Sequence, residues 1–313
     1  MKHLVFRALA LLLASAPLLG ASPEAPKGNL VLIGGGKRPA SVTAKFIELA
    51  GGPTARILVV PTASELPDTV EVYRKELASF GASNVAGLDV RNRFDAQRKA
   101  LVEEVGKAGG IFFAGGDQRR IVVALGDTPV GRAIEEAYRR GAVVGGTSAG
   151  TACMSPVMMT GEGDFKVISS KNVELSPGLG LFPGTILDQH FVARQRQNRL
   201  MSVVLEYPRF LGIGIDEATA VWLRPDGTFL VLGESSVVVY DAAATTITRA
   251  PGDGPVLLGA RNLRTHVLIP GDVFDVAVRS VVPPPVPESP ATAPATPAPP
   301  VPPAAATVPG PTP

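Results

Sequence analysis

Cysteine and histidine are scarce in this chain of 313 residues, which restricts the chemistry available to it. Cys153 is the one cysteine, so the chain cannot form an intramolecular disulfide. The three histidines are not grouped with cysteine, or with each other, at the short spacings typical of zinc sites. The sequence therefore predicts no metal site, and Cys153 is better explained as a small buried side chain than as a nucleophile.

The sequence also has little excess charge, with 30 basic against 28 acidic residues. Two of the basic residues, Lys2 and Arg7, precede an apolar run over residues 8–19 and small residues at 20–22. This pattern predicts a secretory signal peptide at residues 1–22 and a secreted or periplasmic protein. A membrane helix is the alternative, although Pro17 interrupts the run. Without the signal the chain is near neutral, so we expect no nucleic-acid partner and no stable membrane insertion.

Proline is concentrated at the other end of the chain. Residues 281–313 are mostly Pro, Ala, Val and Thr, a composition that cannot build a packed core. We predict a Pro/Ala-rich disordered tail there. Residues 23–280 are numerous enough to bury a full core and are predicted to form one α/β domain.

Apolar runs without polar alternation alternate with helical stretches through the first half of this domain. Such strands are typical of a parallel sheet with helices on both faces. The predicted strands are 29–33, 56–60, 84–88, 110–113 and 142–145, and the predicted helices include 41–50, 69–80 and 96–108. Beyond Phe210, short β-branched runs separated by turn residues predict antiparallel strands that complete the domain.

Gly146-Thr147-Ser148-Ala149-Gly150 is the G-x-S-x-G pattern of a nucleophile elbow. Glycines two residues before and after the serine relieve crowding at a sharp turn between a strand and a helix. Ser148 would project above the sheet edge, and the backbone N–H of Ala149 would point to a developing oxyanion. A glycine-rich turn with a buried serine is the alternative explanation of these five residues.

A serine nucleophile requires a base, and only His190 and His266 remain once the signal peptide is removed. His266 lies within a late strand, where a structural role is the better explanation. His190 follows an apolar run and has polar neighbours, so it is the predicted base. Arg196 and Arg199, three residues apart, would share a helix face and could hold a substrate carboxylate. A solvated helix face would explain the same two arginines.

Several motifs together resemble the cyanophycinase branch of the S51 serine peptidases. They are Gly115-Gly116-Asp117-Gln118, the serine elbow, Asp188-Gln189-His190-Phe191 with Arg194, Arg196 and Arg199, Gly212-Ile213-Gly214-Ile215-Asp216-Glu217, and residues 266–272. Their order and spacing over residues 29–277 are more specific than any one of them.

The resemblance implies a three-layer fold similar to class I glutamine amidotransferases (flavodoxin-like), with a C-terminal antiparallel β extension. It implies Ser148 as nucleophile, His190 as base, and an oxyanion hole formed by Ala149 with Gly115 or Gly116. The family's substrate pocket would correspond to Gln118, Asp188, Arg196 and Arg199. For the acid of the triad, the family position lies between nucleophile and histidine, and we predict Glu162, with Asp164 or Glu174 as alternatives.

These inferences predict an exported serine exopeptidase that hydrolyses cyanophycin, a polyaspartate carrying arginine on its β-carboxyls, to β-Asp-Arg dipeptides. No cofactor is required by an acyl-enzyme mechanism. An aspartyl or isoaspartyl dipeptidase and a non-catalytic protein that binds acidic peptides remain alternatives. An esterase of the α/β-hydrolase type would place its acid and histidine later in the chain. A homodimer is left open.

Overall fold

The computed structural model describes residues 25–163, 166–250 and 255–283. The described residues up to Val282 belong to one compact unit. The predicted signal peptide lies outside the described residues, as does the predicted tail from residue 284 onward. Among the residues described, no helix is both long and apolar enough to cross a membrane.

Five parallel strands form one side of the main sheet, in the order β3-β2-β4-β5-β1 from its edge inwards. The strands are β1 (Leu30–Ile33), β2 (Ile57–Val60), β3 (Val85–Gly87), β4 (Gly110–Phe113) and β5 (Val143–Thr147). The helices between them are α1 (Ala40–Leu49), α2 (Thr69–Ser79), α3 (Lys99–Gly106), α4 (Gln118–Leu125) and α5 (Pro129–Arg140), with a 3-10 turn at Asp95–Gln97. The predicted parallel sheet is therefore confirmed.

The sequence of β1 shows why these strands lack polar alternation. Leu30 and Leu32 pack into one buried hydrophobic cluster, whereas Val31 and Ile33 pack into another. Successive side chains of a strand point to opposite faces, so both faces of the sheet are covered. An apolar side chain is favourable at every position of such a strand.

Four antiparallel strands extend this sheet beyond β1, which makes it a mixed sheet of nine strands among the described residues. They are β10 (Thr219–Leu223), β11 (Thr228–Gly233), β16 (Val273–Asp275) and β17 (Ser280–Val282). The last strand reaches two residues into the range predicted as tail.

A second sheet has the order β15-β12-β9-β8. Its strands are β8 (Thr185–Gln189), β9 (Leu211–Ile215), β12 (Val237–Asp241) and β15 (Arg264–Leu268). The prediction of antiparallel strands after Phe210 holds for the pairing of β9 with β12, but β9 also pairs in parallel with β8, which was not predicted. Helix α7 (Gln197–Glu206) joins them and supplies the crossover that parallel neighbours need.

The remaining elements are short and lie around the two sheets. They are α6 (Ala149–Ala152), the antiparallel pair β6 (Val157–Gly163) and β7 (Val173–Pro177), and the antiparallel pair β13 (Thr246–Ala250) and β14 (Leu257–Arg261).

Candidate active site

Ser148 occupies the sharp turn between β5 and α6. Its φ of 51° and ψ of −111° are uncommon for a residue with a side chain, and strained backbones of this kind are concentrated at functional sites. A Cβ on Gly146 would lie 2.3 Å from the Gly150 carbonyl oxygen, and one on Gly150 would lie 2.4 Å from that of Phe113. Both glycines are therefore needed for the turn, and Ser148 stands half-buried at the carboxyl edge of the sheet.

His190 follows β8 directly and reaches this serine. Its Nε2 lies 2.8 Å from Ser148 Oγ, within hydrogen-bonding distance. The histidine backbone also has a positive φ, 49°, and its N–H donates to the Gly34 carbonyl at 2.7 Å. This bond connects the end of the second sheet to the end of β1 in the first.

The other imidazole nitrogen faces Glu217. His190 Nδ1 and Glu217 Oε1 are 2.5 Å apart, so the carboxylate orients the ring with Nε2 towards the serine. The predicted acid, Glu162, does not occupy this position. It is exposed near the end of β6, where its backbone N–H donates to Thr160 Oγ1 at 3.4 Å.

The two alternatives to Glu162 do not take this position either. Glu174 Oε2 accepts a hydrogen bond from Thr160 Oγ1 at 3.0 Å, across the β6–β7 pair. Asp164 lies outside the described residues. The β6–β7 pair is a separate small sheet, and it does not supply the carboxylate that reaches His190 Nδ1.

The pairing of β8 with β9 explains why the carboxylate that faces His190 Nδ1 comes from residue 217. These strands run in parallel with Gln189 opposite Ile215, so the residues after them emerge side by side at the same edge. The Gly-Ile-Asp-Glu sequence ending in Glu217 contains the acid that faces His190. It could be recognised as a partner of His190 only if the parallel register of β8 and β9 were known, and the sequence did not predict that register.

The environment of His190 favours its neutral form. Burial lowers its pKa below the ordinary value of 6.5, and the charges of Arg194 and Arg196 act in the same direction. The hydrogen bond and charge of Glu217 oppose this shift without reversing it. At neutral pH the imidazole can therefore accept a proton.

The end of β1 and the glycines after it hold all three residues. The Ile33 carbonyl accepts the N–H of Ser148 at 3.1 Å, and the Gly35 carbonyl accepts that of Ala218, next to Glu217, at 3.0 Å. A Cβ on Gly35 would lie 2.2 Å from His190 Cε1. The imidazole therefore packs directly against this glycine, whose importance the sequence analysis missed.

The predicted oxyanion donors lie beside the serine. A Cβ on Gly115 would be 3.6 Å from Ser148 Cβ. The Gly115 N–H, however, interacts with the Tyr73 hydroxyl, where burial raises the phenol pKa and this hydrogen bond partly opposes the rise. Within the described chain, no backbone hydrogen bond uses the N–H of Ala149 or Gly116. These two donors are available to a ligand.

Two of the predicted pocket residues form a buried ion pair instead. Asp188 is 0% exposed and Arg199 is 1% exposed. Arg199 Nε donates to Asp188 Oδ2 at 2.8 Å, and Arg199 Nη2 donates to Asp188 Oδ1. The prediction that they contact substrate is therefore not supported by their positions, because both side chains are buried and hydrogen-bonded to each other.

Arg196 and Gln118 are also used within the protein. Arg196 Nη1 donates to the Gln189 carbonyl at 2.7 Å and to the Gln189 side chain. Burial, followed by the charge of Arg199, lowers the pKa of Arg196 to about 10, so it remains a cation at neutral pH. Gln118 Nε2 donates to the carbonyls of Met159 and Thr160, both at 2.8 Å, and so fixes β6 beside the start of α4.

Arg194 is the exposed arginine of this segment. Its charge acts on His190, and its backbone N–H donates to the His190 carbonyl at 3.0 Å. Among the described residues, no side-chain hydrogen bond or ion pair involves its guanidinium. This arginine, noted in the sequence without an individual role, is therefore the cation best placed to bind an anion next to the base.

Comparison with known proteins identifies the arrangement. The sequence model of peptidase family S51 matches residues 30–231. This chain belongs to peptidase family S51. The S51 peptidase is 37% identical over 268 residues to a cyanophycinase of Nostoc sp., a match covering 84% of this chain and 90% of the relative. A cyanophycinase of Synechococcus elongatus is 35% identical over 261 residues, covering 82% and 81%.

A solved structure supports the fold. A peptidase from an acI-B1 actinobacterium matches 80% of this chain and 98% of its own length with a TM-score of 0.62, at 24% sequence identity. The family and the cyanophycinase relatives make the S51 peptidase a serine-type hydrolase.

His266 and Cys153 of this S51 peptidase lie away from Ser148, His190 and Glu217. His266 is in β15, at the far edge of the second sheet, with its ring edge-on to Phe274 at 5.2 Å between centroids. Cys153 is fully buried behind the elbow, and burial raises the pKa of its thiol. A thiol held in its protonated form is a poor nucleophile.

Proposed function

We propose that this S51 peptidase hydrolyses cyanophycin and releases β-Asp-Arg dipeptides through an acyl-enzyme. The observation that carries the proposal is the chain of hydrogen bonds from Ser148 through His190 to Glu217, with the exposed Arg194 beside it. The relatives named cyanophycinase supply the substrate class.

In this mechanism Ser148 Oγ attacks an aspartyl carbonyl carbon while His190 Nε2 takes the hydroxyl proton. The carbonyl oxygen becomes an oxyanion that accepts the N–H groups of Ala149 and Gly116. When the C–N bond breaks, Nε2 gives its proton to the leaving amine. Water then attacks the ester, its proton passes to Nε2, and Ser148 leaves with that proton restored.

The position of Arg194 indicates which fragment leaves first. The leaving amine must lie near His190 Nε2 to receive its proton, and Arg194 is adjacent to this histidine. A guanidinium binds a carboxylate through paired hydrogen bonds. We infer that Arg194 binds a carboxylate of the leaving fragment, which favours release of dipeptides from the carboxyl end of the polymer.

Glu217 is proposed as the triad acid in place of Glu162. Its carboxylate would hold the imidazole tautomer and stabilise the imidazolium formed during attack. The buried pair of Asp188 and Arg199 would stabilise the chain that carries His190. Arg196 and Gln118 would shape the pocket wall without contacting substrate carboxylates directly.

We also propose the class I glutamine amidotransferase-like fold, because five parallel strands carry the nucleophile after β5. A signal peptide at residues 1–22 and a secreted or periplasmic location rest on the pattern of charge and hydropathy alone. Such a location would suit digestion of polymer outside the cell.

Dipeptide release from insoluble cyanophycin tests the function, with β-Asp-Arg quantified by mass spectrometry. Ser148→Ala should abolish release, while Ser79→Ala, at the opposite end of the strands, should leave it unchanged. If the folded protein released nothing from cyanophycin but cleaved aspartyl or isoaspartyl dipeptides, the dipeptidase alternative would replace this proposal. Tight binding of acidic peptides without turnover, or without labelling of Ser148 by a phosphonate, would favour the non-catalytic alternative.

A further inference from the structure

The segment 190–196 carries the base and the exposed arginine without being a helix or strand. Its backbone N–H groups are nevertheless all accounted for, as buried backbone donors usually are. Those of His190 and Phe191 donate to Gly34 and Ile215 carbonyls in the two sheets. Those of residues 194, 195 and 196 donate to carbonyls within the segment itself.

The other two N–H groups, of Val192 and Ala193, donate to one side chain. Asp216 Oδ1 accepts both, at 3.0 and 2.9 Å. Asp216 Oδ2 accepts the hydroxyl of Ser235 at 2.8 Å. The carboxylate therefore connects the catalytic segment to the end of β9 and to the loop before β12.

Asp216 is built to stay ionised in this position. It is 7% exposed, and burial alone would raise its pKa. The hydrogen bonds from Ala193, Ser235, Glu217 and Val192 outweigh burial and keep the pKa below its ordinary value. A carboxylate that accepts several N–H groups is a strong and directional anchor.

We propose that Asp216 is a positioning residue that holds His190 and Arg194 in a fixed arrangement relative to each other. This rests on the proposed function, which assigns the base and the carboxylate-binding cation to these two residues. Residue 216 directly precedes Glu217, so the same turn of chain supports the imidazole through Glu217 and fixes the segment that follows the histidine through Asp216. Two adjacent acids thus have separate tasks, one on the ring and one on the backbone.

The alternative is that Asp216 only stabilises the fold by joining β9 to the loop before β12. The two roles use different oxygens of the carboxylate, which allows them to be separated. Ser235→Ala removes the bond to Oδ2 and leaves the bonds to Val192 and Ala193. Asp216→Asn keeps an oxygen for these two N–H groups while its amide donates to Ser235. Asp216→Ala removes every bond, and Asp216→Glu keeps the charge but displaces the oxygens by one methylene.

The experiment compares these four variants of the full chain by kcat and KM for dipeptide release and by hydrogen exchange at the amides of Val192 and Ala193. We expect Asp216→Ala and Asp216→Glu to lower kcat/KM about 100-fold, as misplacement by about 1 Å does, with changes in both constants. Exchange at the two amides should accelerate in both. Ser235→Ala should remain within about threefold of the parent in kcat/KM, and Asp216→Asn, which keeps the oxygen but loses the charge, should lie between Ser235→Ala and Asp216→Ala.

Equal damage from Ser235→Ala and Asp216→Ala would overturn the positioning role, and so would full activity of Asp216→Glu or Asp216→Ala. If Asp216→Ala does not fold, Asp216→Glu is compared with Asp216→Asn instead. A kcat/KM for Asp216→Glu as high as that for Asp216→Asn would overturn the positioning role. Labelling of Ser148 by a fluorophosphonate requires only the serine and its base, so its rate follows the position of His190 without any peptide. If the parent labels well but releases no dipeptide, the substrate proposal fails while the labelling and exchange series still tests Asp216.

Discussion

Gly35→Ala should reduce catalysis by moving the base while leaving the sheet intact. The added methyl carbon would lie 2.2 Å from His190 Cε1, 2.5 Å from Nε2 and 2.7 Å from Nδ1, whereas ordinary van der Waals contact begins near 3.4 Å. The imidazole must therefore retreat by roughly 1 Å. A displacement of that size costs about 10²-fold in rate, which is about 2.7 kcal/mol in the activation barrier.

Steady-state dipeptide release measures this effect. We expect kcat to fall about 100-fold with little change in KM, because Gly35 supports the base and does not reach the carboxylate-binding arginine. Gly81→Ala is the matched control. Gly81 has a similar positive φ, 95° against 119°, but a Cβ there would meet nothing within 4 Å. It therefore reproduces the backbone strain without the collision.

A folded Gly35→Ala variant with the kcat of Gly81→Ala would refute the reasoning. It would mean that the imidazole can shift without loss of the proton transfer, so that contact with the glycine loop does not define the catalytic geometry. Phosphonate labelling of Ser148 should fall in parallel with kcat, which separates displacement of the base from slower product release.

Three further predictions follow from the site. Glu217→Gln should lower kcat about 10⁴-fold by releasing the imidazole tautomer, whereas Glu162→Gln should stay near the parent; the reverse order in a kinetic comparison would restore Glu162 as the acid. The kcat/KM of the parent should persist below pH 6.5, since neutral His190 is required and its pKa is lowered, and Arg194→Ala should move this acid limb to higher pH and raise KM. If the acid limb of Arg194→Ala stayed where it is in the parent, the proposed effect of the Arg194 charge on the pKa of His190 would be contradicted. Asp188→Ala should lower the free energy of unfolding in urea by about 3–5 kcal/mol by leaving a buried guanidinium without its carboxylate, and an unchanged midpoint would argue against the pair.

Much of the parallel sheet was predictable because its strands are apolar on both faces. The predicted strands at 56–60 and 110–113 agree with β2 and β4 within one residue. The elbow was equally predictable, since its two glycines are required by contacts within a few residues or with the neighbouring strand. Local chemistry was sufficient in both cases.

The acid proposed for the triad, and the pocket, could not be predicted in this way. Glu217 is brought to His190 by the parallel register of β8 and β9, a long-range pairing that no local pattern specifies. The pair of Asp188 and Arg199 has the same residue types as a charged substrate pocket. Only burial separates the two cases, and burial depends on how α7 packs against β9.

The three backbone bonds at the end of β1 also constrain how the protein can become active during synthesis. The acceptors at Ile33, Gly34 and Gly35 are made early, but their donors at Ser148, His190 and Ala218 follow far later in the chain. Contacts so distant in sequence form late in folding. A nascent or truncated chain that ends before Glu217 would therefore lack the complete site, and hydrolytic activity would report that these distant segments have come together.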